Sequence, residues 1–185
     1  TTDNAYVASH VNAVSPRISG VVTKVLVRDN QVVRPGDVLV ELDSADQLVK
    51  IDQIEAQIAQ VDAQIKQAQA QVTWSKAESS SAREQLISNE ASLKKADAEA
   101  KRYLSLYSDQ IKAVAKSELD AAIAARDTAA AGLRAQDGQV VAANARVDAN
   151  GHAVTSLGAQ KQMLNAQLRD ARLQLQYHKV VASVG

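Results

Sequence analysis

IDQIEAQIAQVDAQIKQAQAQV, residues 51–72, is the stretch that decides the fold. Ile51, Ile54, Ile58, Val61, Ile65, Ala68 and Val72 fall at alternating spacings of three and four, with Gln, Asp, Lys and Ala between them. Both spacings return to one face of an α-helix, so the apolar residues form a continuous seam that must be covered by a second helix. The register continues toward the C-terminus through Ser75, Ser79, Ala82, Leu86, Asn89, Leu93, Ala96, Ala100, Tyr103 and Tyr107. Neither Pro nor Gly interrupts the chain from Ser44 to Asp109, and Ser44 and Asp46 are the expected N-caps.

A second helix is expected from about Lys116 to Tyr177. One seam column holds Leu119, Arg126, Leu133, Val140, Val147, Val154, Lys161, Leu168 and Leu175. Its companion, three residues on, holds Ala122, Ala129, Gln136, Ala143, Asn150, Leu157, Leu164 and Ala171. Gly132, Gly138, Gly151 and Gly158 interrupt this helix at ~1 kcal/mol each relative to Ala. They read as tolerated surface positions or points of close approach in preference to built-in bends. Arg126 and Lys161 lie in the seam column and are expected to snorkel outward or to pair with acids on the facing helix. The helices are of similar length, roughly 90–100 Å each at 1.5 Å per residue, and only a short break separates them. An antiparallel hairpin follows, because each helix then buries its whole stripe on the other.

Upstream, the periodicity changes from helical to alternating. Val21, Thr23, Val25 and Val27 alternate with Val22, Lys24, Leu26 and Arg28, and Val38, Val40 and Leu42 alternate with Leu39 and Glu41. That is the pattern of half-buried strands. Arg34-Pro35-Gly36-Asp37 between them suits a type II turn, with Pro at the second position and Gly at the third. After Tyr177 the chain becomes β-branched again, as at the opening of another strand. The fold class is therefore mainly α with a small β part: a long antiparallel coiled-coil hairpin inserted into a partial β-unit.

Composition narrows the function. Phe is absent, aromatics make up 3% and the apolar fraction is 46%, so the apolar side chains suit thin helical seams better than a thick globular core. Lys and Arg number 21 and Asp and Glu number 21, which leaves no excess charge to hold a nucleic acid. There is no Cys, hence no disulfide, no thiolate nucleophile and no Cys-based metal site. His10, His152 and His178 have no second ligand at metal spacing, no Ser-His-Asp grouping assembles, and no phosphate-binding glycine loop occurs; neither a metal nor a cofactor is expected, and the chain does not read as an enzyme. No window reaches the ~18 consecutive apolar residues that a membrane-spanning helix needs, so any anchor is expected upstream of Thr1. Trp74 flanks the seam and is expected to pack on the helix flank or against a neighbouring protomer.

Residues Val14–Asp43, VSPRISGVVTKVLVRDNQVVRPGDVLVELD, closely resemble the first half of a lipoyl-like (biotinyl-like) β-sandwich. Preceded by Thr2-Asp-Asn-Ala-Tyr-Val7 and followed by a helical hairpin, they are similar to the periplasmic adaptor, or membrane fusion protein, family in its HlyD/EmrA branch. The resemblance implies a β-barrel-like start at 1–13, the first lipoyl-like half at 14–43, an α-hairpin at 44–177 with its tip near 106–116, and the start of the second lipoyl-like half at 178–185. In the family's return segment, His178 stands here for Thr and Ser183 for Pro. True carrier domains present a modifiable Lys; Asp46 occupies that position, and a carboxylate cannot form the amide, so no acyl-carrier role is implied.

The resemblance also implies a site. The family's hairpin tip shows an Arg, a Leu four residues later and a Ser beyond; this chain has Arg102 and Leu106, then Ala115 in place of the Ser, followed by Lys116 in a segment, Val114–Asp120, resembling V/I-S-K-x-E-x-D. These four residues are the implied contacts to a TolC-like outer-membrane channel. The implied function is a periplasmic adaptor of a tripartite multidrug efflux pump. It would be anchored in the inner membrane, form a homo-oligomer with hairpins side by side, and bridge that channel to an inner-membrane transporter of the major facilitator type. An adaptor of a type I secretion system, or a purely structural coiled-coil protein, are the alternatives.

Overall fold

The computed structural model describes residues 14–108 and 114–182. The expected barrel-like start at 1–13, His10 and Ser183 lie outside the described residues. Three strands and two helices follow in order: β1 (Val22–Val25), β2 (Val38–Leu42), α1 (Ala45–Ser108), α2 (Lys116–Tyr177) and β3 (Lys179–Val181). The chain divides into two compact units, one formed by Thr1–Asp62 with Gln160–Gly185 and the other by Ala63–Ala159.

The first unit holds the sheet, ordered β1-β2-β3 with both pairings antiparallel. Alternation along β2 divides its neighbours by face. Val40 stands between Val25 and Val180, and Glu41 between Lys24 and Lys179, so an apolar row and an oppositely charged row lie on opposite sides. β1 is shorter than its alternating pattern suggests, and its register against β2 shifts between Val22 and Lys24. The turn before β2 forms as expected: Asp37 N–H donates to the Arg34 carbonyl at 3.0 Å and Gly36 has φ of 92°. Asp37 also closes the turn through its side chain, accepting from Arg34 N–H at 2.8 Å. Asn30 takes a left-handed conformation with φ of 60°, in a turn where Gln31 N–H donates to the Arg28 carbonyl at 3.1 Å.

α1 starts immediately after β2. The Ser44 carbonyl accepts the first helical hydrogen bond, from Leu48 N–H at 2.9 Å, which puts Ser44 at the N-cap. The side chain that caps is Asp43, accepting from Ala45 N–H at 3.0 Å, whereas Asp46 stands in the first turn. Asp46, the other expected N-cap, stands two positions past Ser44, inside the first turn of the helix. Within this unit the two helices run antiparallel. Ile51, Ile54 and Ala171 form a buried cluster with Ile58, Leu168 and Leu175 packed on it. Gln47 Nε2 donates to the Ala171 carbonyl at 2.6 Å, Arg172 meets Glu55 at 2.7 Å and Lys161 meets Asp62 at 2.6 Å.

The second unit is the same pairing with a more polar seam. Val140, Ala143, Ala100 and Leu119 are buried, but so are Ser75 and Ser79. These hydroxyls are satisfied: Ser75 donates to the Val72 carbonyl at 3.0 Å and Ser79 to Asn144 Oδ1 at 2.6 Å. Gln136 Nε2 donates to the Ala82 carbonyl at 3.0 Å, and Arg146 pairs with Glu78 across the helices. These contacts define an antiparallel register. Every seam position named above for α1 and α2 is buried or half-buried.

Candidate functional site

The four residues implied as partner contacts flank residues 109–113, Arg102 and Leu106 on α1, Ala115 just before α2 and Lys116 at its start, all in the second unit. Arg102 and Leu106 are one turn apart near the end of α1, so their side chains leave the same side of the helix. Arg102 is exposed, and its guanidinium carbon lies 5.7 Å from the centre of the Tyr103 ring. The ring, itself half-buried in the seam, offers its face to the cation. Leu106 is half-buried, while Leu104 beside it is 55% exposed. No basic side chain stands in the last turn of α1. Ser105 and Ser108 instead donate to the carbonyls of Arg102 and Ser105, at 2.8 and 2.9 Å.

Across the break, Ala115 precedes α2 and Lys116 is its first residue, both exposed. The Ala115 carbonyl accepts from the N–H groups of Glu118 and Leu119, at 3.1 and 3.3 Å, so Ala115 is the N-cap. Glu118 Oε2 in turn accepts from Ala115 N–H at 3.0 Å. This is the Glu half of a capping box whose other half, a hydroxyl at the cap, the methyl of Ala115 cannot supply. The frame x-x-x-E at Ala115–Glu118 carries that signal in the sequence. The stacking of Arg102 on its neighbour carries no such signal.

The remaining candidates disperse. His152 is exposed, and His178 Nδ1 lies 2.9 Å from the Gln174 carbonyl. Among the described residues no group of three His, Cys, Asp or Glu side chains is placed to hold a metal, and no helix is long and apolar enough to cross a membrane. Trp74 is 59% exposed. Lys161 pairs with an acid on the facing helix, Asp62, as its seam position requires. Arg126 does not: it bonds Asp127 on its own helix, through Nε at 3.1 Å and Nη2 at 2.8 Å. That hydrogen bond, more than the attraction of the same carboxylate, holds its pKa above the usual arginine value. The facing acid, Asp97, is taken by Lys101 at 2.6 Å.

No protein-family model matches the chain. The colistin resistance protein EmrA of Acinetobacter baumannii is 31% identical over 111 residues, which is 60% of this chain and 31% of that protein. The probable multidrug resistance protein EmrK of Escherichia coli K12 is 37% identical over 59 residues, 32% of this chain and 15% of that one. The chain thus matches well under two thirds of either relative's length. Among solved structures, the periplasmic adaptor protein EmrA is similar over 95% of this chain and 64% of its own, with a TM-score of 0.48 and 18% identity. MacA from Actinobacillus actinomycetemcomitans is similar over 94% and 41%, with a TM-score of 0.42 and 20% identity. By its sequence the chain is thus similar, over part of its length, to two proteins named EmrA and EmrK.

Proposed function

We propose that this chain is the hairpin-bearing part of a periplasmic adaptor in a tripartite multidrug efflux pump. Its role is mechanical and interfacial, without catalysis. The sequence match to EmrA carries this reading, since that relative is named for colistin resistance and the second, EmrK, for multidrug resistance. The geometry of the second unit supports it. A paired helical stem ends in two helix termini that expose a guanidinium over a ring, a half-buried leucine and the half-capped start of α2, all suited to another protein's helix ends. In this reading Arg102, Leu106, Ala115 and Lys116 meet a TolC-like outer-membrane channel. The unit that holds the sheet meets an inner-membrane transporter of the major facilitator type, and the adaptor works in the periplasm, anchored to the inner membrane, as a homo-oligomer. The test is in-cell cross-linking of the full-length protein followed by purification. Recovery of both an outer-membrane channel and an inner-membrane transporter is expected, and recovery of neither overturns the proposal.

A further inference from the structure

Two stretches of poor helix formers, far apart in the chain, stand level with each other inside the second unit. On α1, residues 73–92 hold six serines with Thr73 and Asn89, whereas residues 45–72 and 93–104 hold no Ser, Thr, Asn or Gly. On α2, no glycine precedes Gly132; Gly132, Gly138 and Gly151 then fall in residues 132–151, with Asn144 and Asn150. The contacts between the helices bring these stretches together. Ser79 Oγ donates to Asn144 Oδ1 at 2.6 Å, Gln136 Nε2 to the Ala82 carbonyl at 3.0 Å and Asn89 Nδ2 to the Gly132 carbonyl at 3.4 Å.

The weakness has three sources. Each glycine makes opening of its helix about fivefold easier than alanine would. Along α1, Thr73, Ser75 and Ser92 donate to the carbonyls of Gln69, Val72 and Ser88, at 3.1, 3.0 and 2.9 Å, which competes with the helix's own ladder. The seam is also thin: over residues 73–92 its α1 side consists of Ser75, Ser79, Ala82, Leu86 and Asn89, with one large aliphatic side chain among them. Toward the tip the character reverses. Seven of the eleven residues 121–131 are Ala, the best helix former, and Ala100 and Leu119 are buried.

We infer that residues 73–92 and 132–151 form a yielding joint within the paired helices, which opens in both arms together while the pairing on its tip side stays closed. Opening of one arm strips the other of its seam and of the Ser79–Asn144 hydrogen bond, so neither arm opens alone. The tip-side pairing that carries Arg102 and Leu106 can then tilt at this joint without coming apart. The joint belongs to the free chain and holds whatever that end meets.

Hydrogen exchange of the whole chain tests it. Amides in residues 77–90 and 136–149 should exchange about tenfold faster than those in residues 94–103 and 119–130, giving a maximum in mid-helix. A Cβ built on Gly132, Gly138 or Gly151 meets nothing within 4 Å, so alanine fits at all three. The triple variant Gly132→Ala, Gly138→Ala, Gly151→Ala should slow exchange in the joint about a hundredfold. The slowing should reach residues 77–90 of α1, which carry no substitution, and leave residues 94–103 unchanged. A profile that is flat, or that rises steadily toward the tip as fraying would, overturns the joint. Slowing confined to α2 overturns it as well, because the arms would then open separately.

Discussion

Glu118 reaches back to Ala115, its carboxylate accepting the Ala115 N–H at 3.0 Å, and nothing returns the bond from the cap side chain. Replacing Ala115 with Ser supplies the missing hydroxyl and should stabilise the start of α2 by about 1 kcal/mol. For a chain of this size that is a rise of roughly 2–4 °C in Tm, read by circular dichroism. An unchanged or lower Tm would show that the cap geometry is wrong. The same variant separates two roles: a residue that only caps alters Tm and leaves export alone, whereas a contact alters export.

Gly132 and Gly138 are exposed, and a Cβ built on either meets nothing within 4 Å. Neither serves close helix approach, so Gly132→Ala and Gly138→Ala should each stabilise the chain by up to ~1 kcal/mol through helix propensity alone. Chemical denaturation checks this. A destabilised variant would mean that the glycine holds a bend which alanine resists.

Burial predicts a sharp contrast in the first unit. Ile54 is buried in the cluster with Ala171, while Leu48 is 47% exposed on the same helix. Ile54→Ala should cost about 2–4 kcal/mol, the loss of a packed side chain plus the cavity left behind. Leu48→Ala should stay within ~0.5 kcal/mol. Similar losses from both would mean that the seam is not the source of stability.

The helical seam was legible because a heptad column is repeated many times, and a single Ser or Asn cannot move a face that its neighbours define. Ser75, Ser79 and Asn89 therefore stay in the seam despite their polarity, each finding a hydrogen bond there. Single-residue choices were less legible. Asp43 caps α1 in place of Asp46, because only the earlier carboxylate reaches Ala45 N–H. Arg126 bonds Asp127 beside it, while Asp97 across the seam pairs with Lys101. Asn30 gave no pattern at all, its left-handed backbone being a matter of one turn. At the candidate site, the positions of Arg102 and Leu106 on one side of α1 follow from their spacing, but the placement of the guanidinium over Tyr103 depends on side-chain rotamers that no spacing specifies.

The proposed tip contact gives the most direct functional prediction. Arg102 is exposed, so Arg102→Asp removes no packing beyond the Tyr103 stack, and an acid near a helix C-terminus costs about 0.3–1 kcal/mol. Leu106 is only half-buried, so Leu106→Asp should also leave the hairpin folded. Each should therefore keep its helicity and abundance while drug export by cells carrying the full-length adaptor is lost. Arg102→Lys should give an intermediate loss, because a lysine keeps the charge but not the planar fork that binds carbonyls and carboxylates in pairs. Reversing the charge of exposed Lys66, which lies far along α1 from the break, should leave export intact under the same assay. Export that survives both aspartate substitutions would remove Arg102 and Leu106 from the contact and leave Ala115 and Lys116, at the start of α2, as the candidates.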